Sequence, residues 1–288
     1  MKVRFVRPCA QKGTSMREGD GAGRMAAMTQ RVTVERDGHV LLMGVNRPEK
    51  RNAWDLATID ELGAAYELLG RDPELRVGVI FGHGPHFSAG LDLAEVGAAV
   101  ASQGPAALSG NHAFDPFGVW REPVPKPVVM AVQGIAFTLS IELALASDLV
   151  VAADDVRFAQ LEIARGILPF GGATFRATTR LGWGNAMRFL LTAEEFGAVE
   201  ALRIGLVQEV VPAGGELGRA RQLAGSIAAQ APLGVQSTLA NARVGEAEGP
   251  AAASAHLAGL LPGVLASEDA REGLASFVQR RRADFSGR

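Results

Sequence analysis

VVMAVQGIAFTLSIELALASDLVVAADDVRFAQLE, residues 128–162, is the stretch from which the rest of the chain is read. Its first part is an apolar run, Pro127 to Val132, that stops at Gln133-Gly134 as a buried strand would. Thr138 then stands as an N-cap ahead of Leu139-Ser140-Ile141-Glu142-Leu143-Ala144-Leu145-Ala146, whose apolar residues recur at helical spacing. A second apolar run from Asp148 to Ala153 makes another strand, and Phe158-Ala159-Gln160-Leu161-Glu162 follows. The order strand, turn, helix, strand delivers two carboxyls, Glu142 and Glu162, close to a helix N-terminus in apolar surroundings.

A helix N-terminus leaves backbone N–H groups unpaired and carries partial positive charge. With Thr138 as the cap, the Leu139 N–H is free to bind an oxyanion. Two carboxyls tuned differently by burial can serve as base and acid.

Upstream the same arrangement recurs. Residues 31–36 and 40–45 flank Asp37-Gly38, a hairpin signal. Asn46 to Ala53 is a polar connection with a basic pair, and Asp55 caps a helix running to about Gly70. Val77 to Gly82 reads as a strand that empties into His83-Gly84-Pro85-His86-Phe87-Ser88-Ala89-Gly90-Leu91-Asp92-Leu93. This is a glycine-bearing turn opening another helix. Two such turns can give two N–H donors to one carbonyl oxygen, an oxyanion hole. Residues 97–126, with Phe114, Phe117 and Trp120, read as a helix plus a loose lid over an apolar substrate tail, or as ordinary aromatic packing.

Downstream, Arg165 to Gly172 is a turn opening a helix at Ala173 to Leu181. Helices over 183–191 and 198–204 and a last strand over 206–211 follow. The remainder reads as helices at 216–229, 232–247, 250–260 and 267–283, with apolar faces beyond what their own packing needs. Contacts between copies of the chain are therefore expected.

At 288 residues and 48% hydrophobic the chain has ample core-forming material. The net charge is −2, but Met1 to Met28 holds six cations against two acids, leaving the body at −6. An acidic body argues against a nucleic-acid partner. Cys9 is the sole cysteine, which excludes a disulfide framework and suits a reducing compartment such as the cytoplasm. No apolar run approaches a membrane span. Residues 1–28 read as a disordered leader, or as an over-long start with Met25 or Met28 the true first residue. The organisation expected is a core over 29–215 carrying the active site and a helical region over 216–288. His83 and His86 show no partner, Ser88 and Ser140 lack a His–Asp set, and the scattered histidines propose no metal site.

Taken in order, these residues resemble the enoyl-CoA hydratase/isomerase (crotonase) family over roughly Val32 to Phe285. Asn46-Arg47-Pro48 with Asn52-Ala53 is similar to its first CoA-binding turn, and Phe87 to Leu93 to its first oxyanion turn. Lys126 to Gly134 resembles the strand into the second turn, and Glu142 to Asp148 the helix after it. Residues 198–207 and 276–281 also fit. The resemblance implies an α/β fold, a spiral of repeated strand–strand–helix units with a helical C-terminal region that builds trimers or dimers of trimers.

It further implies an acyl-CoA thioester substrate with no separate cofactor, coenzyme A being part of the substrate. The N–H groups of Leu91 and Leu139 are the implied oxyanion donors, and Glu142 and Glu162 the implied pair that adds water across a 2-enoyl thioester. Arg47, Lys50, Arg51, Ala53, Ala89, Asp92, Leu93 and Arg280 are the expected CoA-binding positions, and Phe114, Phe117, Phe137 and Phe170 the expected acyl pocket. Other chemistry of the same family is the alternative: double-bond isomerisation, thioester hydrolysis or carbon–carbon cleavage. A non-catalytic acyl-CoA-binding relative is a third reading. It is motivated by Thr138-Leu139-Ser140 standing where the family usually has three glycines. Leu139 is expected to crowd the thioester there, and Phe170 to reshape the acyl site.

Overall fold

In this computed structural model residues 30–108 and 110–288 are described; the leader expected over 1–28 lies outside them. β1 (Val32–Asp37) and β2 (Val40–Val45) pair antiparallel with Asp37 opposite Val40. The hairpin turn is thus Gly38-His39, one residue later than expected, because Gly38 takes the positive φ (+58°). α1 (Leu56–Arg71) starts where Asp55 accepts the Thr58 N–H, and it buries Ile59, Leu62, Ala65, Tyr66 and Leu69. β3 (Val77–Gly82) and α2 (Leu93–Gln103) follow.

The central stretch gives β4 (Val128–Val132), β5 (Ile135–Phe137), α3 (Leu139–Ala146), β6 (Leu149–Ala153) and β7 (Arg157–Ala159). Beyond it come α4 (Ala173–Leu181), α5 (Trp183–Thr192), β8 (Phe196–Gly197), α6 (Ala198–Ile204) and β9 (Glu209–Val211). The chain closes with α7 (Glu216–Ala228), α8 (Pro232–Glu248), α9 (Pro250–Ala266) and α10 (Glu268–Gln279). α9 runs further than expected, straight through Pro262, and α10 stops earlier, at an αL residue, Arg280.

One sheet has the order β1-β2-β3-β4-β6-β9, parallel from β2 onward. Its inner strands β2, β3, β4 and β6 are buried on both faces, so they read as continuous apolar runs, whereas the edge strand β1 is largely exposed and carries Glu35, Arg36 and Asp37. Alternate side chains of β4 go to opposite layers. Val128, Met130 and Val132 join the main core with α1 and α3. Val129 and Ala131 meet Ala220, Ala224 and Ala228 of α7, whose small residues let the helix lie close on the sheet. α7 thereby ties the helical C-terminal region to the sheet, and Arg31–Arg288 form one compact unit. A second sheet, β5-β7-β8, stands beside the first.

α3 is the pivot. From Leu139 to Leu145 every residue is buried, so this helix has no solvent face, unlike an amphipathic surface helix. A strand of the second sheet leads directly into it.

Candidate active site

Short hydrogen bonds hold the two turns against each other. β5 pairs with Ser88 of the first turn: Ser88 N–H donates to the Ile135 carbonyl (3.0 Å), and Phe137 N–H to the Ser88 carbonyl (3.0 Å). The Ser140 hydroxyl adds a bond to the same Ser88 carbonyl (3.2 Å), and the Ser88 hydroxyl donates to Asn52 (2.7 Å) while accepting the Gly90 N–H (3.0 Å). Trp54 brackets the first turn, with its N–H on the Gly90 carbonyl and its carbonyl accepting from Asp92. Among the described residues the N–H groups of Leu91 and Leu139 donate to nothing. Two unspent donors on adjacent turns, one of them at the N-terminus of α3, are what the binding of a developing oxyanion would require.

Glu142 lies in the first turn of α3 and is fully buried. Its Oε1 accepts the N–H groups of Gly171 (2.8 Å) and Ala173 (3.1 Å), while Oε2 has no hydrogen-bond partner among the described residues. Gly171 is required for this approach, since a Cβ there would stand 2.9 Å from Oε2. Burial pushes the Glu142 carboxyl up to about 8. The Ala173 and Gly171 N–H groups and Arg176 oppose that rise, and the charge of Glu162 adds to it. Glu162, 6% exposed, also has an unpartnered Oε2. Burial raises it to about 7, against its own backbone N–H and the Gln160 amide beside it. Both Gln160 amide atoms are themselves buried, and the contact with Glu162 falls short of a full hydrogen bond.

A cleft of about 130 Å³ opens over these groups, walled by Ala89, Leu91, Leu93, Thr138, Glu162 and Phe170 among others. Glu142 is not one of the lining residues but lies within electrostatic reach of Glu162, which is. The crowding expected of Leu139 does not occur: its side chain is 2% exposed and packs into the core. Thr138 is the residue in the cleft, and it carries the unusual backbone, φ 52° and ψ −112°. Nor does Thr138 cap α3 with its hydroxyl; in that conformation no capping hydrogen bond forms.

The enoyl-CoA hydratase/isomerase family matches residues 35–288 of this chain. The chain belongs to that family. Among curated relatives, the 2,3-dehydroadipyl-CoA hydratase of Escherichia coli K12 is 34% identical over 88% of this chain and 98% of its own length. The carnitinyl-CoA dehydratase of Proteus mirabilis is 36% identical over 91% of this chain and all of its own. Among solved structures, a probable enoyl-CoA hydratase/isomerase from Mycobacterium abscessus superposes with a TM-score of 0.86 at 49% identity, covering 90% of this chain and 99% of that one. The enoyl-CoA hydratase of Mycobacterium tuberculosis H37Rv gives 0.82 at 33%, covering 90% and 100%. The fold is that of these crotonase-family enzymes.

Set against the family's CoA positions, Ala89 and Leu93 line the cleft, and Lys50 and Arg51 are exposed on the neighbouring turn. Arg47 departs from the phosphate-binding expectation. It is buried and committed to Asp92 (2.9 Å), Asp55 (3.3 Å) and the Ala53 carbonyl (3.0 Å), bracing the first turn from behind. Asp92 and Ala53 are correspondingly its anchors. Arg280 lies just beyond α10 and outside the cleft wall.

Of the four phenylalanines expected to form an acyl pocket, Phe170 alone lines the cleft. Phe114 sits against Gly70 at the end of α1, and Phe117 packs on Trp54 (5.8 Å) and faces a separate cavity of about 750 Å³. Phe137 is half-buried in β5. The segment expected as a loose lid is pinned at Asp115, a buried carboxylate that accepts the N–H groups of Phe117, Val119 and Trp120. His83 and His86 serve the scaffold through Thr33 and the Ile135 N–H. Ser88 and Ser140, whose sequence context suggested no role, turn out to stitch the two turns together.

Proposed function

We infer that this chain is a 2-enoyl-CoA hydratase. The observation supporting it is the pair Glu142 and Glu162, each buried with one oxygen unpartnered, beside two N–H groups that donate to nothing among the described residues. With values of about 8 and about 7 the pair holds roughly one shared proton near neutral pH, which supplies one base and one acid. The ionised carboxyl takes a proton from water as its oxygen adds to C3. The C2–C3 electron pair moves into an enolate whose oxygen is held by the Leu91 and Leu139 N–H groups. The protonated carboxyl then delivers its proton to C2, giving a 3-hydroxyacyl thioester.

Ala89 and Leu93 border the thioester, and Lys50 and Arg51 are placed for the CoA phosphates. Arg280, at the edge of the C-terminal helices, would serve its own or a neighbouring site. α9 buries none of its residues and exposes Leu257, Leu261 and Leu265. That face suits a homotrimer or a dimer of trimers. Among the described residues no helix is long and apolar enough to cross a membrane; the reading places the enzyme in the cytoplasm. The test is loss of the enoyl-thioester absorbance of crotonyl-CoA with wild type, Glu142→Gln and Glu162→Gln side by side. Each substitution should slow hydration by about 10²–10⁴-fold. Equal rates in all three proteins would refute the assignment.

A further inference from the structure

Thr138 occupies a backbone conformation, φ 52° and ψ −112°, that glycine adopts freely and a β-branched residue does not. Holding it there strains the backbone. Its backbone is bonded, the N–H to the Ala159 carbonyl (2.9 Å) and the carbonyl to the Ile141 N–H (2.8 Å), but among the described residues its hydroxyl makes no hydrogen bond, as a cap or otherwise. The side chain lies in the wall of the cleft, half-buried. Its hydroxyl oxygen, rather than its methyl, is turned toward the first turn. A Cβ built on Gly90 would overlap Oγ1, whereas the Thr138 methyl would be 3.4 Å from it.

Gly90 directly precedes Leu91, and Thr138 directly precedes Leu139. The hydroxyl therefore belongs to the residue just before one unspent N–H donor and faces the residue just before the other. Glu162, nine-tenths buried with an unpartnered oxygen, lines the same cleft, so the space between them is built to hold a polar ligand.

We propose that the Thr138 hydroxyl is a third hydrogen-bond donor to the thioester oxygen, acting beside the N–H groups of Leu91 and Leu139 as the enolate forms. This rests on the enolate reading above. It makes Thr138 a group that touches the substrate, where a glycine would offer only backbone. A hydroxyl donor strengthens as the oxygen gains charge, so its contribution falls on the transition state more than on binding of the ground state. The backbone strain is then the cost of presenting an oxygen at that point.

Thr138→Val keeps the branched shape and the strain but loses the hydroxyl; Thr138→Ser keeps the hydroxyl; Thr138→Gly removes both. Thermal melting confirms that each variant is folded. The Val and Gly variants should hydrate crotonyl-CoA with kcat lowered about 10²-fold and KM little changed, and Ser should stay near wild type. A second readout needs no turnover: binding of acetoacetyl-CoA, whose bound enolate has its own near-ultraviolet band. Its affinity should fall by about 10-fold or more in Val and Gly and be kept in Ser.

Val and Gly variants that match wild type in both rate and enolate affinity would overturn the proposal, as would wild type that fails to bind the enolate. Hydroxyl-dependent enolate binding by a wild type that hydrates nothing would remove the hydratase reading and leave this one standing. Normal hydration with no dependence on the hydroxyl would do the reverse.

Discussion

The first turn reaches the cleft through Gly90 at φ +97°, the second through Thr138 at φ 52° and ψ −112°. Both conformations favour glycine, and both end on a leucine whose N–H is unspent. At the first turn there is no choice, because a Cβ on Gly90 would collide with the Thr138 hydroxyl. At the second, a side chain fits into the cleft at the expense of strain. The donors themselves belong to the backbone and survive either solution. What differs is whether the turn offers the substrate anything besides N–H, and only the second does.

Gly90→Ala breaks the comparison most severely. It adds the collision to an unfavourable φ, so a loss of about 3 kcal/mol or more in unfolding free energy is expected, with activity nearly abolished. Chemical denaturation checks this. Adding Thr138→Gly should recover part of the loss by removing the collision while leaving the φ penalty, and the double-mutant cycle measures that share.

A pH-dependent effect separates the carboxyl pair from both turns. Folding raises Glu142 and Glu162 from the ordinary 4.5 to about 8 and about 7. Between pH 4.5 and those values the folded chain holds protons that the unfolded chain has released. Stability from this source is therefore complete below about pH 4.5 and declines as pH rises through about 7 and about 8. Each raised unit corresponds to about 1.4 kcal/mol. Denaturation curves at a series of pH values should show wild type losing stability over that range, and the Glu142→Gln, Glu162→Gln double variant losing less. Parallel curves would show that the carboxyls are not perturbed by folding.

Ser140→Ala gives the smallest change. It removes one hydrogen bond between the turns, worth about 1 kcal/mol, and spares both N–H donors. Unfolding free energy should drop by that amount with hydration slowed only a few-fold. A collapse of activity would mean that the two turns depend on this bond for their alignment.

Much of this site is legible in residue order alone. The start of α3 at Leu139 and the spans of α4 and α6 follow from local pattern, since caps, glycines and helical spacing are short-range signals. β5, β7 and β8 escape because strands of two or three residues carry too little alternation to read. The commitment of Arg47 to Asp92 spans 45 positions, and no local rule distinguishes it from a solvated phosphate ligand. Phe114 and Phe117 read as pocket walls because composition gives an aromatic's tendency to bury but not its neighbour. At the second turn the sequence shows that glycines are missing, yet it does not say which residue takes the positive φ. That depends on how β5 docks against Ser88, a tertiary fact.

The most direct test of the account runs crotonyl-CoA hydration in D₂O and analyses the product by mass spectrometry and NMR. Two carboxyls acting through an oxyanion-held enolate predict a 3-hydroxybutyryl thioester with one deuterium at C2. A 3-enoyl thioester with deuterium at C2 and no hydroxyl at C3, or release of free CoA, would contradict it and move the same site to isomerisation or thioester hydrolysis.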